Sequence, residues 1–350
     1  MRCRVIWCRP VQIGRGTREF SYAVSVVIPV YKGERSLPAL LAELEPLASP
    51  SVTPEGRDFT IAEVILVHDN GPDASDATMR KLGDQYPFVS TIWLSRNFGQ
   101  HAATLAGMSA SKGEWIVTLD EDGQHDPSHI PRFLDAAIDE RASLVYAKPT
   151  NTAPHGALRN AASRGAKRFV SLIIGGRASQ EFQSYRLVRG DIGRQLANFA
   201  VSGVYLDVAL SWVTDRVTTV PVQLREEGDR PSGYSYSSLF AHFWRMVLSS
   251  GTRGLRLVSV IGVTLALLGV GLAVYLIIAR SSGAVDVAGW TSLAVITLIC
   301  SGAILVSLGI IAEYIGVTLN VAMGRPLYLI VDDPVRVLPL PEDEQLGESE

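Results

Sequence analysis

The chain contains 350 residues with a formal net charge of -3, 47% hydrophobic residues and a mean hydropathy of +0.19. This charge gives no indication of a nucleic-acid partner, and Cys3, Cys8 and Cys300 have the spacing of neither a zinc site nor a disulfide framework. Charged residues and short apolar runs mix up to about residue 250, whereas residues 257–312 are almost entirely apolar. The composition therefore argues against a purely soluble protein and predicts a globular domain followed by membrane segments.

Residues 1–23 form a basic N-terminal arm that lacks the long apolar stretch of a signal peptide. We expect this arm either to contact anionic lipid or to remain disordered. Its basic residues are Arg2, Arg4, Arg9, Arg15 and Arg18.

Residues 24–236 alternate short β-type runs with helical ones, which predicts an α/β domain with a mostly parallel sheet covered on both faces. The first helix is expected to begin after Ser36 as N-cap and to bury one leucine stripe. That stripe consists of Leu37, Leu40, Leu41, Leu44 and Leu47. The predicted strands are VSVVIPV, IAEVILV, VSTIWLS and EWIVTLD.

Polar residues directly follow each of these four strands. Because the carboxyl ends of parallel strands form the ligand crevice of such sheets, we expect these residues to converge on one edge. They are Pro29 and Tyr31 after the first strand, Asp69 after the second, Arg96 and Asn97 after the third, and Asp120 to Gln124 after the fourth.

The segment LDEDGQHDP predicts a metal site. Asp120, Asp122 and Gln124 alternate, and in an extended segment alternate residues face the same way. Their oxygens suit Mg²⁺ or Mn²⁺ held partly by substrate phosphates. The alternative is that the two acids cap a helix or face solvent. Asp69 similarly either accepts hydrogen bonds from a nucleotide or belongs to an Asx-turn.

The C-terminal third predicts a membrane anchor. Residues 237–256 form an amphipathic juxtamembrane helix, or a helix packed on the domain, and residues 257–279 and 290–312 are long enough to cross a bilayer. Arginines flank the pair, which predicts a multi-pass protein of the inner or plasma membrane with both termini and the catalytic domain cytoplasmic, although Arg280 weakens the bias. Residues 331–350 are expected to be an acidic disordered tail.

Several motifs together resemble those of the inverting family-two glycosyltransferases with a GT-A fold. The resemblance is closest to the polyprenyl-phosphate branch that includes dolichyl-phosphate mannose synthase, and it covers about residues 24 to 330. It rests on SVVIPVYKGE, VHDNGPDAS, LSRNFGQHAATLAGM, TLDEDGQHDP, SYRLVRG, an SGYS segment, the paired apolar segments and EYIGVTLNVAMGRPLY.

The resemblance implies roles for individual residues. Pro29, Tyr31, Glu34 and Asp69 would surround the nucleotide, Arg96 and Asn97 would line the donor site, and Asp120, Asp122 and Gln124 would hold the cation.

The sequence departs from the family pattern in three places. His68 precedes Asp69 where an acid is common, Gly123 stands where leucine is common and is expected to loosen its loop, and Gln183 and Ser184 replace an acid.

The missing acid is compatible with a phosphate acceptor. A lipid monophosphate is already largely anionic at neutral pH and needs no base, so arginines are expected to position it. We expect Arg186, Arg225 and Arg230 to do this beside Asp122, whereas Arg159, Arg164, Lys167 and Arg168 either take part or form a solvated face.

The sequence thus predicts transfer of a sugar from a UDP- or GDP-linked donor to undecaprenyl-type polyprenyl phosphate by metal-assisted inverting displacement. The alternatives are a processive polysaccharide synthase and a non-catalytic partner subunit of another transferase or flippase. Small residues at Gly262, Gly269 and Gly271 lead us to expect a homo-oligomer.

Overall fold

A computed structural model of the chain describes residues 21–151, 182–199, 205–225, 289–324 and 326–337, together with scattered positions between 262 and 278. The juxtamembrane segment 237–256, Arg230 and the group Arg159, Arg164, Lys167 and Arg168 lie outside the described residues. So do residues 1–20 and 338–350, and most of the first predicted membrane segment.

The described domain is built around one nine-stranded sheet. Its strands are β1 (Tyr22–Val30), β2 (Ser51–Val52), β3 (Asp58–His68), β4 (Val89–Leu94), β5 (Trp115–Thr118), β6 (Leu144–Pro149), β7 (Arg186–Arg189), β8 (Val217–Val222) and β9 (Ile330–Val331). The four strands predicted from the sequence correspond to β1, β3, β4 and β5.

Eight α-helices accompany the strands in the described parts of the chain. They are α1 (Leu37–Leu44), α2 (Ser75–Gln85), α3 (Gln100–Ala110), α4 (Ile130–Asp139), α5 (Gly190–Phe199), α6 (Leu206–Val213), α7 (Trp290–Ala322) and α8 (Pro334–Val337). Short 3-10 turns cover Glu45–Ala48 and Pro127–His129.

The sheet order is β8-β6-β7-β5-β1-β3-β4-β9, with β2 paired to β3. The centre, β5-β1-β3-β4, is parallel as expected. However, β7 runs antiparallel to both β5 and β6, and β9 runs antiparallel to β4, so the sheet is mixed, with parallel pairing in its centre and between β6 and β8. These two strands lie outside residues 24–120, the alternating run of strands and helices from which parallel pairing was inferred.

Apolar side chains cover both faces of the sheet because the central strands alternate between two cores. Val26 and Ile28 of β1 pack in the core that contains α1, α2 and α4, whereas Val27 packs in the core that contains α3, α5 and α6. A strand buried on both faces has to be almost continuously apolar, which explains the run VSVVIPV.

Helix α1 forms as predicted, but Ser36, the residue before it, does not cap it. Leu37, Leu40, Leu41 and Leu44 are buried. Ser36 has helical dihedral angles, and its Oγ makes no capping hydrogen bond and has no partner among the described residues. Pro38 in the first turn lacks an N–H and has a fixed φ, so it favours a helix start without that cap.

The end of the domain corrects the prediction of a disordered tail from residue 331. Strand β9 pairs with β4 through Val331 and Trp93, and Asp333 forms an ion pair with Arg80 at 2.9 Å. The described residues after α7, up to residue 337, therefore belong to the folded domain. Strand β9 covers the edge of β4, which would otherwise be unpaired.

Helix α7 contains the second predicted membrane segment, residues 290–312. Many of its apolar side chains are exposed, among them Leu293, Leu305 and Ile315 at 61–69%. Within the described parts of the chain, no helix combines the length and hydropathy that crossing a membrane requires.

Candidate active site

The polar residues that follow β1, β3, β4 and β5 lie along one edge, because these strands are parallel neighbours in the sheet. Direct hydrogen bonds connect their ends. The backbone N–H of Asp69 donates to the carbonyl of Val30 at 2.8 Å, and that of Leu119 donates to Val27 at 3.1 Å. The edge is therefore a continuous surface.

Glu121 joins the loop after β5 to the turn after β1. Its carboxylate accepts hydrogen bonds from the backbone N–H groups of Tyr31 at 2.7 Å and Lys32 at 2.8 Å. Glu121 was not predicted to be a site residue, because the alternation that indicates metal ligands includes its neighbours Asp120 and Asp122 and excludes Glu121. No sequence signal connects it to a turn 90 residues away.

The residues expected around the nucleotide take different positions. Tyr31 is 40% exposed, and Glu34 is exposed with its carboxylate accepting from the N–H of Ala74 at 3.4 Å. Pro29, in contrast, is buried within β1 opposite Val67. The structure therefore places Pro29 inside the sheet, and its contact with a nucleotide stays a prediction.

Asp69 holds the loop that carries Arg96 and Asn97. Its carboxylate is 3% exposed and accepts hydrogen bonds from the backbone N–H groups of Phe98 at 2.7 Å and Gly99 at 2.8 Å. Burial raises the pKa of Asp69 above 3.8, and these two hydrogen bonds oppose the rise. Asp69 thus shapes the donor side of the edge through this loop.

Arg96 and Asn97 are exposed on that loop. The Arg96 guanidinium lies 4.3 Å from the ring centre of Phe98, a cation–π contact. This contact leaves the outer face of the guanidinium toward solvent, where a phosphate can reach it.

Asp120 is held by two neutral donors. Its Oδ1 accepts from the side-chain amide of Gln100 at 2.5 Å, and its Oδ2 accepts from the hydroxyl of Ser184 at 2.5 Å. Gln100 is exposed, so an incoming ligand can displace it. Neither donor was predicted from the sequence to contact Asp120.

Asp122 and Gln124 form the turn that follows. The Oδ1 of Asp122 accepts from the backbone N–H of Gln124 at 3.0 Å. Between them, Gly123 has a φ of 76° with open space around it, so its glycine permits a left-handed turn rather than simply loosening the loop.

The donor set of this turn suits a divalent cation shared with a substrate. Among the described residues, no three His, Cys, Asp or Glu side chains are grouped to hold a metal by themselves. Two carboxylates and an amide fit an Mg²⁺-type ion, which keeps several ligands from water or phosphate.

The predicted arginines have structural partners. Arg186 is 2% exposed and forms an ion pair with Asp207, so the structure places its guanidinium against a buried carboxylate, and contact with a substrate phosphate stays a prediction. Arg225 contacts Glu43 at 2.8 Å and Asp126 at 3.1 Å, and its N–H donates to the carbonyl of Gln124 at 3.1 Å. Arg225 therefore ties the segment after β8 to residues 120–124, which we call the cation turn.

Residues 25–192 match the family described as Glycosyl transferase family 2. The chain is similar to undecaprenyl-phosphate 4-deoxy-4-formamido-L-arabinose transferases. It is 30% identical over 310 residues to that of Klebsiella pneumoniae (strain 342) and 29% identical over 314 residues to that of Salmonella paratyphi B, in each case covering 88% of this chain and 92% of the relative.

Among solved structures, the chain is similar to glucosyl-3-phosphoglycerate synthase from Mycobacterium tuberculosis, with a TM-score of 0.48 and 16% identity. The similarity covers 67% of this chain and 80% of that one.

Proposed function

Because this chain belongs to glycosyl transferase family 2, we propose that it transfers a sugar from a nucleotide-diphosphate sugar to undecaprenyl-type polyprenyl phosphate. The observation that carries the proposal is the similarity to undecaprenyl-phosphate sugar transferases along nearly the whole of both chains. The polar edge beside the parallel strands supports it, since it supplies groups for both a nucleotide and a diphosphate.

The cation turn would hold Mg²⁺ or Mn²⁺ through the carboxylates of Asp120 and Asp122 and the side-chain amide of Gln124. Such an ion neutralises the charge that develops on a nucleoside diphosphate as it leaves. The exposed Tyr31, Glu34, Arg96 and Asn97 would bind the donor, with their loops held by Glu121 and Asp69.

The acceptor requires positioning rather than deprotonation, because a phosphate monoester is already largely ionised at neutral pH. Ser184, a neutral residue, contacts Asp120 where a carboxylate base would otherwise stand. We propose that Arg230 contacts the lipid phosphate, while Arg225 aligns its loop with the cation turn, and that the displacement inverts the sugar.

Residues 257–279 and 290–312 would anchor this reaction to the cytoplasmic face of the inner or plasma membrane. The exposed apolar side chains of α7 support this proposal, because such a surface is unfavourable in water. The juxtamembrane segment 237–256 would then lie at the bilayer surface, near the polyprenyl phosphate.

The test is transfer of radiolabelled sugar from a panel of UDP- and GDP-sugars to undecaprenyl phosphate by the full-length chain in detergent. Asp122→Asn should lower kcat by about 100-fold or more, since several kcal/mol of charge stabilisation are lost. Asp84→Asn, at an exposed position of α2, is the matched control. Folded wild type that uses no donor would contradict the proposal and favour a non-catalytic partner subunit.

A further inference from the structure

The antiparallel pairing of β5 with β7 brings Ser184 opposite Asp120. The register pairs Thr118 with Arg186. Because the strands are antiparallel, Asp120 lies two residues after Thr118 and Ser184 lies two residues before Arg186, on the same side of the pair. The hydroxyl of Ser184 donates to Oδ2 of Asp120 at 2.5 Å. One oxygen of this acid is therefore held by the sheet framework, whereas the other contacts only the exposed Gln100 in the hydrogen bonds described above.

The backbone of Ser184 is itself fixed from below. Its carbonyl accepts hydrogen bonds from the hydroxyl of Thr118 and from Nε of Arg186 at 3.4 Å. Nε of Arg186 also donates to Thr118 Oγ1 at 3.2 Å. The side chains of Thr118 and Arg186, at the end of the β5-β7 ladder, thus fix the backbone that carries the Ser184 hydroxyl.

Arg186 is immobilised by a buried partner. Its guanidinium pairs with Asp207 of α6, and both side chains are at most 5% exposed. Asp207 also accepts from the hydroxyl of the fully buried Tyr146 at 2.8 Å. A buried ion pair with its hydrogen bonds satisfied has few alternative arrangements, so it can serve as a rigid support for the residues that contact it.

We infer that Ser184 is a positioning residue that orients the carboxylate of Asp120 for cation binding, and that Tyr146, Asp207 and Arg186 hold Ser184 in place. The inference rests on the proposed cation site. A neutral hydroxyl at this position fixes one oxygen without adding a second negative charge and leaves Oδ1 for the ion once Gln100 moves away. Residues that support a metal ligand in this way commonly contribute 10- to 100-fold to metal affinity.

The experiment measures Mn²⁺ binding to the full-length chain in detergent by electron paramagnetic resonance, with UDP or GDP present to supply the diphosphate and without acceptor. Ser184→Ala should weaken Mn²⁺ binding about 10-fold, and Ser184→Thr, which keeps the hydroxyl, should restore it to within about threefold of wild type. The control is Ser211→Ala, which removes a serine hydrogen bond of 2.7 Å to the carbonyl of Val208 on α6 and should leave the Mn²⁺ affinity unchanged.

The role of the buried Arg186–Asp207 pair is tested by Tyr146→Phe, which keeps the buried ring and removes its hydrogen bond to Asp207. We expect weaker Mn²⁺ binding in the same direction as Ser184→Ala, with a smaller change. A lower melting temperature with unchanged Mn²⁺ affinity would overturn the role of the buried pair.

Two results separate this inference from the proposed function. Equal Mn²⁺ affinity of wild type and Ser184→Ala would overturn the positioning role and leave the cation site standing. Absence of Mn²⁺ binding by folded wild type with UDP and with GDP present would overturn the cation site and the role of Ser184 with it, whereas sugar transfer would still be measurable in its own assay.

Discussion

Glu121 accepts a 2.7 Å hydrogen bond from the backbone N–H of Tyr31, which joins the cation turn to the loop after the first strand. The two acids beside Glu121 are candidate cation ligands, and Tyr31 is exposed on the donor side. One carboxylate therefore couples the geometry of the two halves of the site.

Replacing Glu121 by Gln should weaken this connection. A glutamine offers one acceptor oxygen to the two N–H groups of Tyr31 and Lys32. We therefore expect the free energy that holds the two loops together to fall by about 1 kcal/mol. This is at the low end for hydrogen bonds to charged groups because the site is partly solvated. The KM for the donor should rise several-fold with a smaller change in kcat. Glu114→Gln, at an exposed position before β5, is the control, and a donor KM equal to that of the control would refute the coupling.

Gly71 should tolerate no side chain. A Cβ at this position would lie 1.6 Å from the carbonyl oxygen of Tyr31, so Gly71→Ala has to displace the backbone at Tyr31 or at residue 71 itself. We expect destabilisation of about 2 kcal/mol or more, measured by thermal unfolding of the purified chain. The prediction fails if the variant melts at the wild-type temperature.

Gly83→Ala provides the matched comparison. Gly83 lies inside α2, and its Cβ would meet only Thr91 Cγ2 at 3.6 Å, an ordinary contact. Because alanine favours helix over glycine, this variant should be more stable by about 0.5–1 kcal/mol. The opposite signs of the two changes separate steric exclusion from a general effect of adding a methyl group.

Asp333→Asn should release the last strand of the sheet. Arg80 contacts Asp333 through Nε and Nη2 at 2.9 Å. The carbonyl of Leu329, directly before β9, accepts a hydrogen bond from the N–H of Ser95, directly after β4. We expect amide hydrogen exchange at Trp93, Leu94 and Ser95 to accelerate about 10-fold, equivalent to roughly 1.4 kcal/mol of local stability. Asp332→Asn, at the exposed neighbouring position, should exchange like wild type; the same acceleration in both would discount the ion pair.

His68 should make stability depend on pH. It is 8% exposed with its ring centre 5.2 Å from that of Trp93, and burial lowers its pKa below the ordinary 6.5. The unfolded chain therefore binds a proton that the folded chain resists, so stability should fall as the pH drops through 6.5 toward the lowered pKa.

The matched variant is His68→Phe, which keeps a ring beside Trp93 and removes the titrating group. Melting temperatures of wild type and variant, measured between pH 7.5 and 5.5, should diverge as the pH falls, with the variant less sensitive. Parallel curves would show that another group, such as His129, whose pKa burial also lowers, causes the dependence.

The sequence by itself determined the elements whose signal is local. The apolar runs of β1, β3, β4 and β5 and the leucine spacing of α1 are readable because a strand or helix repeats its pattern over neighbouring residues. The placement of Asp69, Arg96 and Asp120 after parallel strands followed from the same alternation, and the structure brings these residues to one edge.

The tertiary structure alone decided the contacts between distant segments. The antiparallel registers of β7 and β9, the Arg186–Asp207 and Arg80–Asp333 pairs, and the bond from Tyr31 to Glu121 have no pattern in the chain. A charged or hydroxyl side chain has the same local sequence whether it faces solvent, a substrate or a buried partner. Which of these it meets depends on strand register and burial, and these arise only when the whole sheet has assembled.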